Sequence, residues 1–212
     1  MADKTKFQAI LLVGPTGAGK TPLGQVFEEK GLDGRRCFHF DFGAQLRGVA
    51  EAGSRQNVLN SYDVGVVRQV LHSGALLTPG QFPIAKAILC DFMANKGVTD
   101  NDVIILNGLP RDVRQAIIVS RILTVKSIIF LRCSPLTIVA RISSNLAGDR
   151  TGRIDDGIEC VTQRLKIFFE KTAPLLGHYQ QQGVSVTTLP VEFETSSMDL
   201  WQLLNDSPMT LF

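Results

Sequence analysis

The sequence predicts an α/β protein: a three-layer, doubly wound parallel sheet of five strands with helices on both faces. Two observations predict this class, since short apolar runs recur along the chain and longer segments with helical spacing separate them. Strands buried on both faces read as continuous apolar runs, because helices cover both sides of a parallel sheet. A chain of 212 residues accommodates one such domain with a sizeable core.

The apolar runs predict the positions of the strands. They lie at residues 9–13, 37–41, 103–107, 127–131 and 184–189. The clearest helix is expected to begin near Asp155 and Asp156, because apolar residues recur at spacings of three or four from Ile158 to Leu175. Acidic residues suit the positive N-terminal end of a helix. Pro174 is expected to kink or divide this helix.

Composition argues against several classes of protein. With 22 basic and 20 acidic residues, the net charge is only +2, so no global field attracts nucleic acid or an anionic membrane. No segment approaches the roughly 18 apolar residues of a membrane span. The four cysteines, at positions 37, 90, 133 and 160, stand far apart, which indicates buried thiols rather than a zinc site or disulfides. We expect a cytoplasmic monomer that binds neither nucleic acid nor membrane.

A glycine-rich loop follows the first predicted strand. Its sequence, GPTGAGKT, satisfies the pattern G-x-x-x-x-G-K-[ST] from Gly14 to Thr21, and a helical segment from Pro22 to Lys30 follows. In this context glycines let backbone N–H groups surround phosphate, while the helix adds its positive end. Lys20 is expected to contact the β- and γ-phosphates, and the Thr21 hydroxyl is expected to bind Mg²⁺. The predicted nucleotide-binding residues of this segment are Gly14, Pro15, Thr16, Gly17, Ala18, Gly19, Lys20, Thr21 and Pro22.

A simpler interpretation is a glycine-rich turn that contains Lys and Thr by chance. The strand before the loop and the helix after it favour the phosphate-binding interpretation. The sequence therefore predicts ATP, with magnesium, as a ligand.

Several arginines lie where strands of a parallel sheet end. Arg111 and Gln115 follow the third predicted strand, and further arginines occur at positions 141, 150, 153 and 164. Loops at the carboxyl ends of parallel strands share one edge of the sheet, so these side chains are expected to converge on phosphate beside Lys20. Guanidinium groups suit this task because they stay charged and bind phosphate oxygens in pairs. The alternative is a set of surface salt bridges with Asp149, Asp155 and Asp156.

With these motifs the chain resembles the adenylate kinase, or nucleoside monophosphate kinase, family. The segments that carry the resemblance are GPTGAGK, FGAQLR, GALLT, NGLPRDVRQ and GRIDDGIECVTQRL. NGLPRDVRQ is similar to the family signature D-G-[FY]-P-R-x-x-x-Q. The resemblance implies a core of residues 1–40, 74–140 and 154–212, a monophosphate-binding insertion at about 41–73, and a short lid without cysteines at 141–153.

The resemblance also implies roles for individual residues. Arg47 and Arg111 would hold the phosphate of the monophosphate, Gln115 would contact its base, and the backbone around Leu77 would lie against that base. Arg153 and Arg164 would bind the phosphoryl group in transfer, and Arg141 would stack on the base of ATP. Arg150 is expected to join the arginines around the substrate.

The chain departs from the family pattern at two strand ends. Asn107 stands where the family has an aspartate that orients water on Mg²⁺, and Thr21 stands where a glycine is usual. The monophosphate-site pattern S-T-G-D-x-L-R is replaced by residues 41–47, which places Asp41 and Phe42 at its start. Phe42 is expected to face the acceptor base. Thr21, Asn107 and Asp41 are the predicted magnesium ligands, with a helix N-cap as the alternative role for Asp41.

Three functional hypotheses follow. The first is a phosphotransferase that moves the γ-phosphoryl group of ATP to a nucleoside monophosphate. The second is a P-loop kinase of a small hydroxylated metabolite that Asp41 holds. The third is a nucleotide-binding protein with little catalysis, in which Asn107 and Ala44 mark lost activity. Arg47, Arg111 and Gln115, all at the spacing of the family pattern, favour the first.

Overall fold

A parallel sheet forms the centre of the computed structural model, which describes residues 6–52, 58–145, 148 and 158–206. Its strands are β1 (Phe7–Val13), β2 (Cys37–Asp41), β3 (Val103–Asn107), β4 (Leu123–Cys133) and β5 (Ser185–Val191). They follow the order β2-β3-β1-β4-β5, and every neighbouring pair is parallel. The predicted five-stranded parallel sheet is confirmed.

The main difference from the predicted strands is the length of β4. It begins four residues before the apolar run, because its first half alternates buried residues with the exposed Thr124 and Lys126. A strand with one exposed face alternates in this way and is missed by a search for continuous apolar runs. β2 and β3 have the predicted bounds.

Helices occupy the connections between the strands. They are α1 (Lys20–Lys30), α2 (Phe42–Ala52), α3 (Ser61–Ser73), α4 (Phe82–Asn95), α5 (Val113–Val119), α6 (Pro135–Ser144), α7 (Ile158–Ile167), α8 (Pro174–Gln180) and α9 (Ser197–Asn205). A short 3₁₀ segment, Pro79–Gln81, precedes α4, and a π-helical segment, Phe168–Thr172, lies between α7 and α8.

Both faces of the sheet are buried, each in its own hydrophobic cluster. On one face Leu11 and Leu106 belong to a cluster with Val67 of α3 and Leu89 of α4. On the other face Ile10 and Ile105 belong to a cluster with Leu23 and Phe27 of α1 and with Leu200 of α9. Alternate residues of each strand face opposite sides of the sheet, so continuous apolar strands supply both clusters. The three-layer arrangement is thus confirmed.

The predicted long helix is divided. The region of its expected start at Asp155 and Asp156 lies outside the described residues, and α7 is described from Ile158. After Ile167 the backbone widens into the π-helical segment, and Pro174 then occupies the first turn of α8. Proline has no N–H to donate, and the first turn of a helix does not need one. The predicted break near Pro174 is confirmed.

The cysteines differ in burial. Cys37 is buried within β2, where desolvation raises the pKa of its thiol to about 12. Cys90 and Cys133 are only partly buried, which corrects the expectation of uniformly buried thiols, and all three are free. Cys133 is the last residue of β4, where helices no longer cover the sheet completely. The side chain of Cys160 lies outside the described part of the structure.

None of the helices in the described ranges has both the length and the apolar character that crossing a bilayer requires.

The edge of the sheet at the carboxyl ends of its strands defines the functional region. In the strand register, Asn107 at the end of β3 pairs with Leu12 of β1 on one side and with Asp41 at the end of β2 on the other. β1 therefore ends one residue beyond the level of Asp41 and Asn107, and the loop begins at the next residue, Gly14. Open α/β sheets bind their ligands at this edge.

We predict opposite effects of alanine at two helical glycines. A Cβ at Gly24 of α1 would overlap the His39 ring of β2, whereas a Cβ at Gly65 of α3 meets nothing within 4 Å. Gly65→Ala should stabilise the protein by about 0.5–1 kcal/mol through helix propensity. Gly24→Ala should cost about 1–3 kcal/mol through overpacking, which outweighs the same propensity gain.

Urea denaturation of the two variants measures both free energies of unfolding. A Gly24→Ala variant as stable as Gly65→Ala would contradict the close packing of His39 on α1.

Candidate functional site

A cleft opens at the carboxyl edge of the sheet and brings together residues from α1, α2, α3, α6 and α7. Predicted site residues that line it are Thr16, Gly17, Gly19, Lys20, Thr21, Asp41, Phe42, Arg47, Leu77, Asn107, Arg111, Gln115, Arg141 and Arg164. Gly14, Pro15, Ala18 and Pro22 belong to the same loop and helix without lining the cleft. Arg150 and Arg153 lie outside the described residues.

The glycine-rich loop has the backbone conformation that its sequence predicts. Gly17 and Gly19 have φ values of 82° and 94°, which side chains with a Cβ rarely adopt. Gly19 caps α1, so the N-terminal N–H groups of that helix open onto the cleft. The Lys20 ammonium donates to the carbonyl oxygens of Gly14 and Pro15, both at 2.7 Å, and so lies across the loop.

Arg141 holds the loop against its surroundings. Its Nε donates to the Gly17 carbonyl at 3.2 Å, and one terminal nitrogen donates to the carbonyls of Glu192, Phe193 and Thr195 at 2.8–3.0 Å. The side chain is buried and joins the glycine-rich loop to the segment after β5. The structure thus gives Arg141 a bracing contact beside the cleft, and its stacking on a base stays a prediction.

Three polar side chains meet at the ends of β2 and β3 and the start of α1. The Thr21 hydroxyl donates to Asp41 Oδ2 at 2.6 Å, and Asn107 Nδ2 donates to Thr21 Oγ1 at 3.0 Å and to Asp41 Oδ2 at 3.2 Å. The other carboxylate oxygen of Asp41, Oδ1, accepts from the backbone N–H of Ala44 at 2.9 Å. Asp41 therefore serves as the N-cap of α2 with one oxygen and contacts Thr21 with the other.

His39 is a neighbour of this cluster that sequence reasoning missed. Its Nε2 lies 3.4 Å from Asn107 Nδ2, and its ring packs on α1 at Gly24. Burial lowers the pKa of His39, against the opposing effects of Asp41 and Glu28, so the ring is neutral at neutral pH. Alternation along β2 was the available signal, because residues two apart in a strand share a face and His39 precedes Asp41 by two.

Arg111 and Arg164 concentrate positive charge in the same cleft. Burial lowers the pKa of Arg111 to about 10, the Arg164 charge adds to this shift, and Asp41 opposes it. Arg111 is still protonated at neutral pH. Its guanidinium makes no hydrogen bond or ion pair with residues in the described ranges. A partly buried cation of this kind is stabilised by an anion in the cleft.

The backbone of Arg111 is held on both sides. Its N–H donates to Gln115 Oε1 at 2.9 Å, and its carbonyl accepts from the Thr172 hydroxyl at 2.8 Å. Gln115 is buried, and its Nε2 lies 3.4 Å from the Leu77 carbonyl. Thr172 is the last residue of the π-helical segment, and no sequence motif indicated its contact with Arg111. These contacts position the side chain of Arg111.

The remaining wall of the cleft is apolar. Phe42 is buried and stacks on Phe40 with ring centroids 6.0 Å apart, and Leu46 of α2 lies beside it in the wall. Val70 and Leu71 near the end of α3 complete this wall and were not predicted. The segment around α3 matches the family pattern only loosely, so motif comparison could not find them. A flat apolar surface with a buried amide at its edge suits an aromatic ring of a ligand.

Comparison with known proteins identifies relatives that share most of this chain. It is 29% identical over 181 residues to an adenylate kinase of Parvibaculum lavamentivorans. This alignment covers 82% of this chain and 80% of the relative. An adenylate kinase of Prochlorococcus marinus is 26% identical over 82% of this chain and 86% of the relative. The chain is thus similar, over most of its length, to proteins named adenylate kinase.

The relatives carry names that refer to different bases. A probable UMP-CMP kinase of Arabidopsis thaliana is 25% identical over 84% of this chain and 78% of that relative. No protein-family model matches the chain. These similarities confirm the resemblance that the motifs carry, and the identities favour neither adenylate kinases nor UMP-CMP kinases.

We predict that the Thr172 hydroxyl contributes more to the free energy of unfolding than the Thr172 methyl group does. Thr172→Val keeps the volume but leaves the Arg111 carbonyl without its donor, so it should lower the free energy of unfolding by about 1–2 kcal/mol. Thr172→Ser keeps the donor and should cost less than Thr172→Val. Urea denaturation of both variants measures the difference, and equal losses would assign the effect to packing of the methyl group.

Proposed function

We propose that this protein is a phosphotransferase that moves the γ-phosphoryl group of ATP to a nucleoside monophosphate, giving two diphosphates. The observation that carries the proposal is the meeting, in one cleft, of a glycine-rich loop with Lys20 and an Arg111 guanidinium that lacks a protein partner in the described ranges. The loop with Lys20 suits a triphosphate, and the Arg111 guanidinium suits the phosphate of a second nucleotide. The names of the relatives support the same activity.

On the donor side, the loop and α1 bind the triphosphate of ATP. Backbone N–H groups at the start of α1 face the β-phosphate, and the helix end adds its partial positive charge. Lys20 already lies across the loop through its contacts with Gly14 and Pro15. In the ATP complex its ammonium exchanges these carbonyl contacts for β- and γ-phosphate oxygens.

Thr21, Asp41 and Asn107 fit a magnesium ion that is shared with the phosphates. Among the described residues no three His, Cys, Asp or Glu side chains lie close enough to hold a metal ion. Mg²⁺ does not need such a cluster, because it usually takes one or two carboxylates, waters and phosphate oxygens. When bound, the ion neutralises charge on the β- and γ-phosphates. Thr21 Oγ1 and Asp41 Oδ2 supply the hard oxygens that it prefers.

On the acceptor side, Arg47 and Arg111 bind the phosphate of the monophosphate. An oxygen of that phosphate attacks the γ-phosphorus of ATP, and the bond from this phosphorus to the β-phosphate oxygen breaks. Arg164 and Arg153 bind the phosphoryl group as it moves. The base lies against Phe42 and the apolar end of α3, where Gln115 and the Leu77 carbonyl offer polar contacts at its edge.

The reaction requires that water be excluded, because water would otherwise accept the phosphoryl group. We propose that residues 141–153 form a lid and residues 41–73 a monophosphate-binding insertion, both closing on a core of residues 1–40, 74–140 and 154–212. Closure brings the lid arginines to the transferring group. Transfer then depends on positioning and charge, without a side-chain nucleophile.

A kinase of a small hydroxylated metabolite is the second candidate, because Asp41 lies in the cleft. Both oxygens of this carboxylate are engaged, one by Ala44 and one by Thr21 and Asn107. These contacts favour a role in support of the metal over a role in holding an acceptor hydroxyl. The third candidate is a protein that binds nucleotide with little transfer.

A coupled assay of diphosphate formation tests the three candidates. ATP and Mg²⁺ are supplied with AMP, CMP, UMP, GMP, TMP or their deoxy forms. We expect transfer to at least one monophosphate well above the hydrolysis of ATP. Activity restricted to a hydroxylated metabolite and lost in Asp41→Asn would favour the second candidate, and ATP binding without transfer would favour the third.

We predict that Lys20→Ala and Arg111→Ala each lower turnover by about 10²-fold or more, because each removes a preorganised charge from the transition state. The control is Lys86→Ala, which removes an exposed cation from α4, away from the cleft. The control should keep wild-type turnover. Wild-type rates for either of the first two variants would contradict the proposed site.

A further inference from the structure

We infer that the cluster at the ends of β2 and β3 tolerates only one carboxylate. Because Asp41 supplies that carboxylate, position 107 requires a neutral side chain that donates a hydrogen bond. We call Asp41 and Asn107 an exclusive pair for this reason. The part of this inference that concerns magnesium rests on the proposed function. The part that concerns the two side chains rests on the geometry alone. Asparagine at position 107 is then the partner that Asp41 requires, and it is not a sign of lost phosphoryl transfer.

The protons of the cluster determine the orientation of each group. Thr21 has one hydroxyl proton, and its 2.6 Å contact with Asp41 Oδ2 uses that proton. The Thr21 oxygen therefore accepts from Asn107 Nδ2, 3.0 Å away. Nδ2 also lies 3.2 Å from Asp41 Oδ2, a distance at which only a donor is favourable opposite a carboxylate. Rotation of the amide by 180° would set an oxygen against an oxygen.

The backbone leaves these groups little freedom to separate. Asp41 and Asn107 are paired in the parallel register of β2 and β3, so their Cα atoms are held side by side. Asn107 is only 5% exposed, and the other oxygen of Asp41 is fixed by the N–H of Ala44. Neither side chain can therefore turn away without losing a hydrogen bond.

An aspartate at position 107 would place a second carboxylate oxygen where Nδ2 now lies. Two carboxylate oxygens at that separation repel each other. Thr21 cannot relieve the repulsion, because it has one proton for two acceptors. The family signature has its carboxylate at the end of β3, whereas this chain has its carboxylate at the end of β2. Either strand end supplies one negative charge beside Thr21, and the geometry disfavours both together.

Asp41 is accordingly the residue that supplies the charge toward Mg²⁺. Its Oδ2 and Thr21 Oγ1 are 2.6 Å apart, so a single cation or one of its waters can contact both. Asn107 has no charge to offer, and its donor group faces the other two side chains. Its contribution is to hold Asp41 and Thr21 in position.

The experiment compares four variants: Asp41→Asn, Asn107→Asp, the double exchange of both, and Asn95→Asp. Asparagine at position 41 still accepts from the Ala44 N–H, so the cap of α2 is kept. Asn95→Asp is the matched control, because it makes the same substitution at an exposed residue of α4.

The first measurement is thermal unfolding without nucleotide or Mg²⁺. Asn107→Asp should lower the midpoint by about 5 °C or more, as repulsion in a domain of this size would. The double exchange should recover most of this loss. Asn95→Asp adds a negative charge at the exposed C-terminal end of α4 and should lower the midpoint by only about 1–2 °C. Either of two results would overturn the exclusive pair. The first is an Asn107→Asp variant as stable as the control. The second is a double exchange that lowers the unfolding midpoint by the sum of the two single effects.

The second measurement is the affinity for ATP with and without Mg²⁺, by titration calorimetry. Asp41→Asn should reduce the gain in affinity from Mg²⁺ by about tenfold or more, and the double exchange should recover part of it. If Mg²⁺ raises the affinity for ATP as much in Asp41→Asn as in the wild-type protein, the metal role of Asp41 is overturned. If the proposed phosphoryl transfer is wrong, the wild-type protein will show no activity. The unfolding comparison does not depend on activity, so it still tests the exclusive pair.

Discussion

The parallel register of β1, β3 and β2 is the constraint on which the functional region depends. Hydrogen bonds between these strands place Leu12, Asn107 and Asp41 at one level of the sheet. Because all three strands run in the same direction, whatever follows each of them emerges at the same edge. The glycine-rich loop, the cap of α2 and the segment leading to Arg111 are neighbours for this reason, although they are distant in sequence.

Charges of both signs lie in the cleft. Asp41 contacts Thr21 at the start of α1, while burial and the nearby Arg164 lower the pKa of Arg111. Like charges held close together cost free energy unless a ligand of opposite sign compensates them. Under the proposed function, the phosphates of the nucleotides would compensate Arg111, and a magnesium ion would compensate Asp41.

The bracing contacts around the cleft come from residues outside the motif segments. Arg141 of α6 joins the glycine-rich loop to the segment after β5, and Thr172 holds the backbone of Arg111. His39 packs on α1 and contacts Asn107. Each of these residues acts on a group that faces the cleft, so positioning and binding are shared between different elements. Preorganisation of this kind is what phosphoryl transfer requires of a protein.

The sequence by itself determined the sheet, the helix-bearing connections and the phosphate loop, because these depend on local patterns. Apolar runs predict β2 and β3 to the residue, and glycines with Lys20 and Thr21 predict the loop between β1 and α1. The start of β4 was missed, because exposed Thr124 and Lys126 interrupt its apolar run. Only the tertiary structure decided that Asp41, Thr21 and Asn107 share hydrogen bonds, that His39 contacts Asn107, and that Thr172 supports Arg111. Those contacts join residues up to 86 positions apart, and their geometry depends on strand register and helix packing, which no local pattern encodes.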